Sequence, residues 1–346
     1  LFIFFATLDL FIFSRFFLSS KISLSIIIPG ILLFFSMLIS DNIGLHILNS
    51  WVPYFPREYI QIFTRFVCFL FFLKLSYDKL FKFRTLTYVL IFSLIVGVLQ
   101  IGDLLNLNSF FAQLYAPTDN QLNTFSNTHI SLRIFGIAGN PISWGGFSLF
   151  SFFYFSLIEK GFLKRFGLII SLINILFAVS KSAIISLLFV SFLIPVLYYF
   201  YYGYGLIKVI KSYWKLIFVL FAVISLLFNI FYEKFDFLIT RFKAFLSLEK
   251  GQSTRFDQVF DAFELMQSYL FSFLIGFGKP AISKVIPYIE VEPVYLLASY
   301  GFFGFLLHYL PLIFLIYFSY KLRKNQPKMA LFVPVSIFSY LIFSLG

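Results

Sequence analysis

The chain has 346 residues, 60% of them hydrophobic and only 12% charged, with a formal net charge of +12. A soluble domain needs about 25% charged residues to cover its surface, so this composition excludes a water-solvated globule and leaves lipid as the solvent. A single cysteine, Cys68, excludes an intrachain disulfide and a cysteine cluster, and three scattered histidines, His46, His129 and His308, argue against a metal site. The basic residues fall in short loops between apolar runs, the pattern by which membrane proteins set their orientation, so no nucleic-acid partner is expected.

A spanning helix needs about 20 mostly apolar residues. Such stretches are predicted at 1–19, 22–40, 59–77, 86–102, 141–159, 167–180, 182–202, 215–232, 291–320 and 329–346, about ten in all. The expected fold is an all-α polytopic integral membrane protein, one transmembrane domain over 1–346. The first residue is Leu and the last, "SIFSYLIFSLG", stops inside an apolar run, so both ends read as cut. The first span reads as an internal helix and not as a signal peptide. The stretch at 291–320 is long enough to tilt. "FAVSKSAIIS" must turn tightly around Ser180–Lys181 or continue as a bent helix.

Four loops carry the positive charge: Lys79, Lys82 and Arg84; Lys160, Lys164 and Arg165; Lys208, Lys211 and Lys215; and Lys321, Arg323, Lys324 and Lys328. The predicted spans put all four on one side, which the positive-inside rule makes the cytoplasm. Residues 41–58, 103–140, the Lys181 turn and 233–290 then lie outside. Two of these external segments are long and polar. The larger, 233–290, contains amphipathic pieces. In "STRFDQVFDAFELMQSYLFSFLIGFG", Phe256, Val259, Phe260 and Phe263 recur at helical spacing, with Asp257, Asp261 and Glu264 on other faces. Ser253 or Thr254 caps this helix and the glycines of "LIGFGK" end it, so it is expected to lie along the outer membrane surface.

The residues able to do chemistry gather in these external parts. Arg133 is the only Lys or Arg within 103–140 and opens "RIFGIAGNPISWGGF". One reading is an interfacial charge before a helix. The other is an anion site: Pro141 suits a first helical turn, Asn140 can cap it, and the exposed N–H groups and helix dipole favour a phosphate beside an arginine. Arg255 opens the amphipathic helix and is either a solvated charge or a second anion ligand. Lys181 sits in the tight external turn, as a helix-end cation or a substrate contact. Glu292 precedes Pro293 at the start of the ninth span, as a partner of the helix dipole or as an ionisable functional group at a membrane boundary; Glu290 is its rival. His308, spaced with Phe305 and Leu312, reads as an ordinary packed residue.

Four stretches in order, "LRIFGIAGNPISWGGF", "AVSKSAIISLL", "STRFDQVFDAFELMQSYLFSFLIGFG" and "EVEPVYLLASYGFFGFLLHYLPL", give a pattern that resembles the O-antigen polymerase and O-antigen ligase superfamily of bacterial inner-membrane glycosyltransferases. The shared features are an Arg-to-Gly stretch ending in an Asn-Pro helix start, a Ser-Lys turn, an Arg-led helix ending in Gly-x-Gly, and an acidic residue before a Tyr-containing span with Gly-x-x-Gly. The chain departs from the family at two points. The family places a Gly eleven positions after its external Arg, where this chain has Trp144 after Arg133 and Met266 after Arg255. The ligase branch carries a His at the start of the late span, where this chain reads Glu290-Val291-Glu292-Pro293, which favours the polymerase branch.

The resemblance implies polymerisation of lipid-linked oligosaccharide repeat units on the outer, periplasmic face of the bacterial cytoplasmic membrane, for O-antigen or capsular polysaccharide. The donor would be a glycan on polyprenyl pyrophosphate. Arg133 and Arg255 would neutralise the leaving pyrophosphate and Glu292 would act as base toward the acceptor hydroxyl. Lys181, Asn140, Tyr295, Gly276 and Gly278 would bind substrate. The scheme requires no metal and no cofactor. Partners would be the bilayer, the lipid-linked oligosaccharide and a chain-length regulator protein. The alternatives are an O-antigen ligase and, as a non-enzyme, a polysaccharide flippase or other transporter.

Overall fold

The computed structural model describes residues 21–47, 59–60, 63, 85–115, 134, 136–138, 141–203, 214, 218, 225, 254–286, 289 and 291–345. Among these every regular element is helical. Among the described residues four helices are long and apolar enough to cross a membrane: Leu24–Gly44, Lys181–Tyr202, Glu292–Leu322 and Pro327–Ser344. Of the other expected spans, 86–102, 141–159 and 167–180 correspond to helices of 17 residues each, while 1–19 lies outside the described residues and 59–77 and 215–232 almost wholly so. The chain forms two compact units, one drawn from 1–82 and 247–318, the other from 83–246 and 319–344.

The first unit is built on α1 (Lys21–Ile47), α7 (Thr254–Ser268), α8 (Leu270–Ile275), α9 (Lys279–Val285) and the first part of α10 (Glu292–Leu322). Helix α1 does not stop at residue 40, where the apolar run ends; it continues through Asp41, which is 4% exposed. Its small residues let it approach the segment after α8. The Ser40 hydroxyl donates to the Ile275 carbonyl, and a Cβ on Gly44 would overlap the Phe277 carbonyl. Small residues at such spacing are the usual means of close helix approach in lipid, where there is no hydrophobic gain from association. The expected helix from Ser253 to Gly278 is in fact interrupted at Tyr269, between α7 and α8. Helix α7 packs through Ala262 and Met266, one turn apart, while Phe260 and Phe263 stand exposed. An exposed aromatic face suits the headgroup boundary of a bilayer.

Helix α10 is not one rod. Gly301 has φ 67° and ψ −174°, backbone angles closed to other residues, and it interrupts the helix. The break removes the usual helical donors from nearby carbonyls. The segment after α8 supplies replacements: the Phe277 N–H donates to the Ala298 carbonyl (3.0 Å) and the Gly278 N–H to the Ser299 carbonyl (2.7 Å). The contact requires glycine on both sides. A Cβ at Gly276 would lie 2.4 Å from the Ser299 carbonyl oxygen, and one at Gly301 2.4 Å from the Ile275 backbone.

The second unit packs α2 (Thr85–Ile101), α4 (Pro141–Leu157), α5 (Gly161–Phe177), α6 (Lys181–Tyr202) and α11 (Pro327–Ser344), with the short α3 (Leu107–Tyr115) beyond α2. Helix α4 is the centre, buried on nearly every face, and Trp144, Phe152, Phe153 and Phe155 fill the core around it. Helix α6 starts where the Ser180 hydroxyl accepts from the Ala183 N–H and ends at Gly203, whose left-handed φ turns the chain away. One end of the unit is basic. The Lys328 ammonium donates to the Ile158 carbonyl (2.8 Å), the Tyr202 hydroxyl to the Pro327 carbonyl, and Arg323 lies 3.6 Å over the Tyr320 ring. Burial and, second, the neighbouring Lys328 push the Lys164 ammonium below its ordinary value. The loops 158–165 and 321–328 and the end of α6 therefore share this end, as the positive-inside pattern expects.

The break at Gly301 can be tested against an ordinary left-handed glycine. Gly161 also has a positive φ but a Cβ there meets nothing within 4 Å. Gly161→Ala should cost about 1–2 kcal/mol, the penalty for a left-handed alanine. Gly301→Ala adds backbone overlap and should cost about 1–3 kcal/mol more, read as a larger fall in Tm of the purified protein. Equal falls would contradict the junction described above.

Candidate functional site

In the first unit, Glu292 opens α10, ahead of Pro293, and the Tyr295 N–H donates to the Val291 carbonyl to close the first turn (2.9 Å). Proline fits there because its missing N–H would have no helical partner. The Glu292 side chain is 26% exposed. Its Oε1 lies 3.9 Å from Nε2 of His308, which is 19% exposed. These residues are sixteen apart in sequence. In a straight helix they would be ~24 Å apart along the axis, far beyond the reach of two side chains. The contact therefore requires that residues 292–300 fold back against the helix that follows Gly301. The turn is also tight at Gly304, where a Cβ would meet the Tyr300 Cβ at 2.3 Å. The nominal 31-residue helix is thus a short arm and a longer helix from residue 302.

Aromatic and basic groups line the same arm. The Lys279 ammonium lies 5.5 Å above the Tyr295 ring, a cation–π distance. The Tyr295 hydroxyl is 3.5 Å from that of Tyr300, whose side chain is fully buried. His308 meets the Tyr309 ring edge-on at 5.1 Å, and Tyr309 packs on Phe305 at 4.8 Å. A carboxylate, an imidazole, phenols and an ammonium therefore converge around one helical reversal. The phenols and the ammonium can hold a polyhydroxylated ligand by hydrogen bonds and ring stacking, and the carboxylate can accept a proton.

Behind the arm stands Asp41 of α1. Its Oδ2 accepts from the Tyr59 hydroxyl, and Gly278 lies so close that a Cβ there would meet Oδ1 at 2.4 Å. The expected site residues Gly276 and Gly278 belong to this backbone junction. Their N–H groups donate to the Ser272 (2.6 Å) and Ser299 (2.7 Å) carbonyls, so neither is available to a phosphate. Arg255 is the second residue of α7; its side chain lies outside the described residues, as does Glu290.

In the second unit, Arg133 and Asn140 lie outside the described residues, whereas Ile134 and Gly136–Ala138 between them are described. Ile134 is 1% exposed, packs on Gly97, and donates its N–H to the Phe177 carbonyl at the end of α5 (3.0 Å). The Ile137 N–H donates to the Ser93 hydroxyl (3.0 Å) and Gln100 Nε2 to the Gly136 carbonyl (3.3 Å). Ser93 lies ~12 Å before the end of α2 by the helical rise. Ile134 and Gly136–Ala138, near the end of the expected external segment 103–140, thus pack within the bundle. Lys181 is half-buried as the first residue of α6, just past Val179. Val179 has φ 47°, a left-handed conformation that a β-branched residue adopts only under constraint. Strain of that kind gathers at functional turns. Trp144 and Met266, which stand where the family pattern has Gly, are core residues at 1% and 2% exposure, and the Trp144 indole N–H donates to Asn174 (3.0 Å).

Asp41, Lys279 and the pairing of His308 are features of this candidate site that the sequence reading did not pick out. The spacing of Ser40 and Gly44 on either side of Asp41 is a small-residue contact face and could have marked the aspartate as internal. The Gly301–Gly304 spacing could have marked the reversal.

The fold-back has a direct test. With Cys68→Ser as background, Glu292→Cys combined with His308→Cys should be joined by a bifunctional thiol reagent much shorter than the ~24 Å that a straight helix imposes. Modification without cross-linking, seen by mass spectrometry, would contradict the reversal. No protein-family model matches the chain, and no curated protein and no solved structure matches it.

Proposed function

We propose that the chain is a membrane glycosyltransferase that polymerises lipid-linked oligosaccharide repeat units on the outer face of the bacterial cytoplasmic membrane, with a polyprenyl-pyrophosphate-linked glycan as donor. The observation that carries this reading is Glu292: a partly exposed carboxylate on a short apolar arm, 3.9 Å from His308, with Lys279 over the ring of Tyr295 on the same arm. Ionisable groups are costly in such surroundings and mark functional sites by default. The ordered resemblance of four stretches supplies the reaction class. The basic end of the second unit faces the cytoplasm on this reading.

The chemistry asks little of the protein beyond alignment and charge. Glu292 takes the proton from the acceptor hydroxyl as that oxygen forms a bond to the anomeric carbon of the donor. The bond from that carbon to the pyrophosphate oxygen breaks, and its electron pair leaves with the polyprenyl pyrophosphate. Arg133 and Arg255 stabilise that charge through paired hydrogen bonds. Tyr295 and Lys181 position the substrates. A ligase would perform the same transfer to a different acceptor.

A transporter is the second reading, and one observation favours it. A discontinuous helix is a recurrent feature of substrate sites in secondary transporters, and the helix from Glu292 is broken at Gly301. The two readings separate in cells. A polymerase defect leaves single repeat units on the final acceptor; a flippase defect leaves lipid-linked units on the cytoplasmic side and none on the acceptor.

Arg133→Ala and Arg255→Ala should each abolish polymer while single-repeat glycan persists, with Lys restoring only part because it lacks the planar fork. Glu292→Gln should reduce the rate by ~10²–10⁴-fold, the range for a lost general base, at unchanged protein level. Undiminished polymer in all three variants would remove the mechanism. For orientation, reporters fused at Gly161 and Gln326 should read cytoplasmic and those at Asn120 and Gln252 external. A cytoplasmic signal at Gln252 would place Arg255 on the wrong side for this chemistry.

A further inference from the structure

We propose that His308 is a positioning residue for Glu292, holding one carboxylate oxygen so that the other faces the acceptor hydroxyl. This rests on the glycosyltransferase reading above and adds to it a residue that composition and spacing assign to simple packing.

The two side chains meet only because Gly301 reverses the chain. Their separation, 3.9 Å between Nε2 and Oε1, is too long for a hydrogen bond and within ion-pair range. Contacts of this kind tighten when a substrate closes over them and excludes water. Both groups are partly exposed, at 19% and 26%, so a ligand can reach them. The imidazole plane is set by its edge-on contact with Tyr309, which is itself held by Phe305. An imidazole in an apolar helix is a poor choice for packing alone, because leucine fills similar space without a polar group to satisfy.

The geometry divides the carboxylate between two tasks. Oε1 faces the imidazole Nε2, which donates to it once the bound substrate has tightened the contact. The second oxygen is then the one that accepts the proton of the attacking hydroxyl. Without His308 the Glu292 side chain samples other rotamers, and a displacement of about 1 Å at a reacting group can cost ~10²-fold in rate. Binding of the donor involves other residues and is left unchanged.

The test uses the full chain in proteoliposomes supplied with lipid-linked repeat units. His308→Leu should lower kcat by ~10–100-fold with KM unchanged. His308→Gln should recover part of that loss, since its amide N–H stands near the position of Nε2. The double variant Glu292→Gln with His308→Leu should be no slower than Glu292→Gln alone, because the two residues act as one unit. Protein level and size-exclusion profile show that each variant folds, and His308→Gln keeps the comparison open if His308→Leu does not. A wild-type kcat in His308→Leu, equal losses from Leu and Gln, or losses that multiply in the double variant would each overturn the role while leaving the polymerase reading intact. Absence of polymer from the wild-type protein would instead overturn that reading, and this role with it.

Discussion

In an apolar interior every backbone N–H and carbonyl must find a partner within the protein. The break at Gly301 creates carbonyls without their helical donors, and the Phe277 and Gly278 N–H groups fill that need. Most of the first unit follows from this one exchange. The donor segment must approach another backbone closely, so its residues on either side of Phe277 are glycines with positive φ. Helix α1 must press against the same segment, so it presents Ser40 and Gly44. The polar carboxylate between them, Asp41, is buried as a result and accepts from Tyr59.

The second unit meets the same requirement with side chains. Ile134, Gly136 and Ile137 pack within the bundle, and their backbone groups are met by the end of α5, Gln100 and Ser93 respectively. Asn174 accepts from the Trp144 indole and donates to the Ile170 carbonyl, tying α4 to α5 through a buried amide. In such surroundings a polar residue without its partner would be costly, which makes these few contacts more decisive than the many aromatic ones around them.

The same features bear on function. A helical reversal places the residues at its two ends side by side, which a continuous helix cannot do. Around Gly301 this yields a carboxylate–imidazole contact flanked by tyrosines and a lysine. In the second unit, strain at Val179 holds the turn that leads into Lys181. A broken helix is the feature that favours a transporter, but it can also serve a glycosyltransferase, because both need polar groups in apolar surroundings. The chemistry assigned to Glu292 is what distinguishes the first reading from the second.

The sequence alone determined the class of the molecule. Sixty per cent hydrophobic residues with few charges leave only helices in lipid, and apolar run lengths locate them to within a few residues for 86–102, 141–159, 182–202 and 329–346. The clustering of Lys and Arg also anticipated that the loops around 158–165 and 321–328 share one end, because charge must stay in water. Hydropathy could not see Gly301, since a glycine lowers the apolar average only slightly while its backbone angles reverse the chain. Nor could it see that Asp41 lies inside: α1 runs on past its apolar run because Gly44 packs on the Phe277 backbone. The neighbours of Glu292 were hidden for the same reason. Helical spacing assigns His308 to a face of one rod, and only the fold-back, which depends on backbone bonds to residues more than twenty positions away in sequence, brings it to the carboxylate.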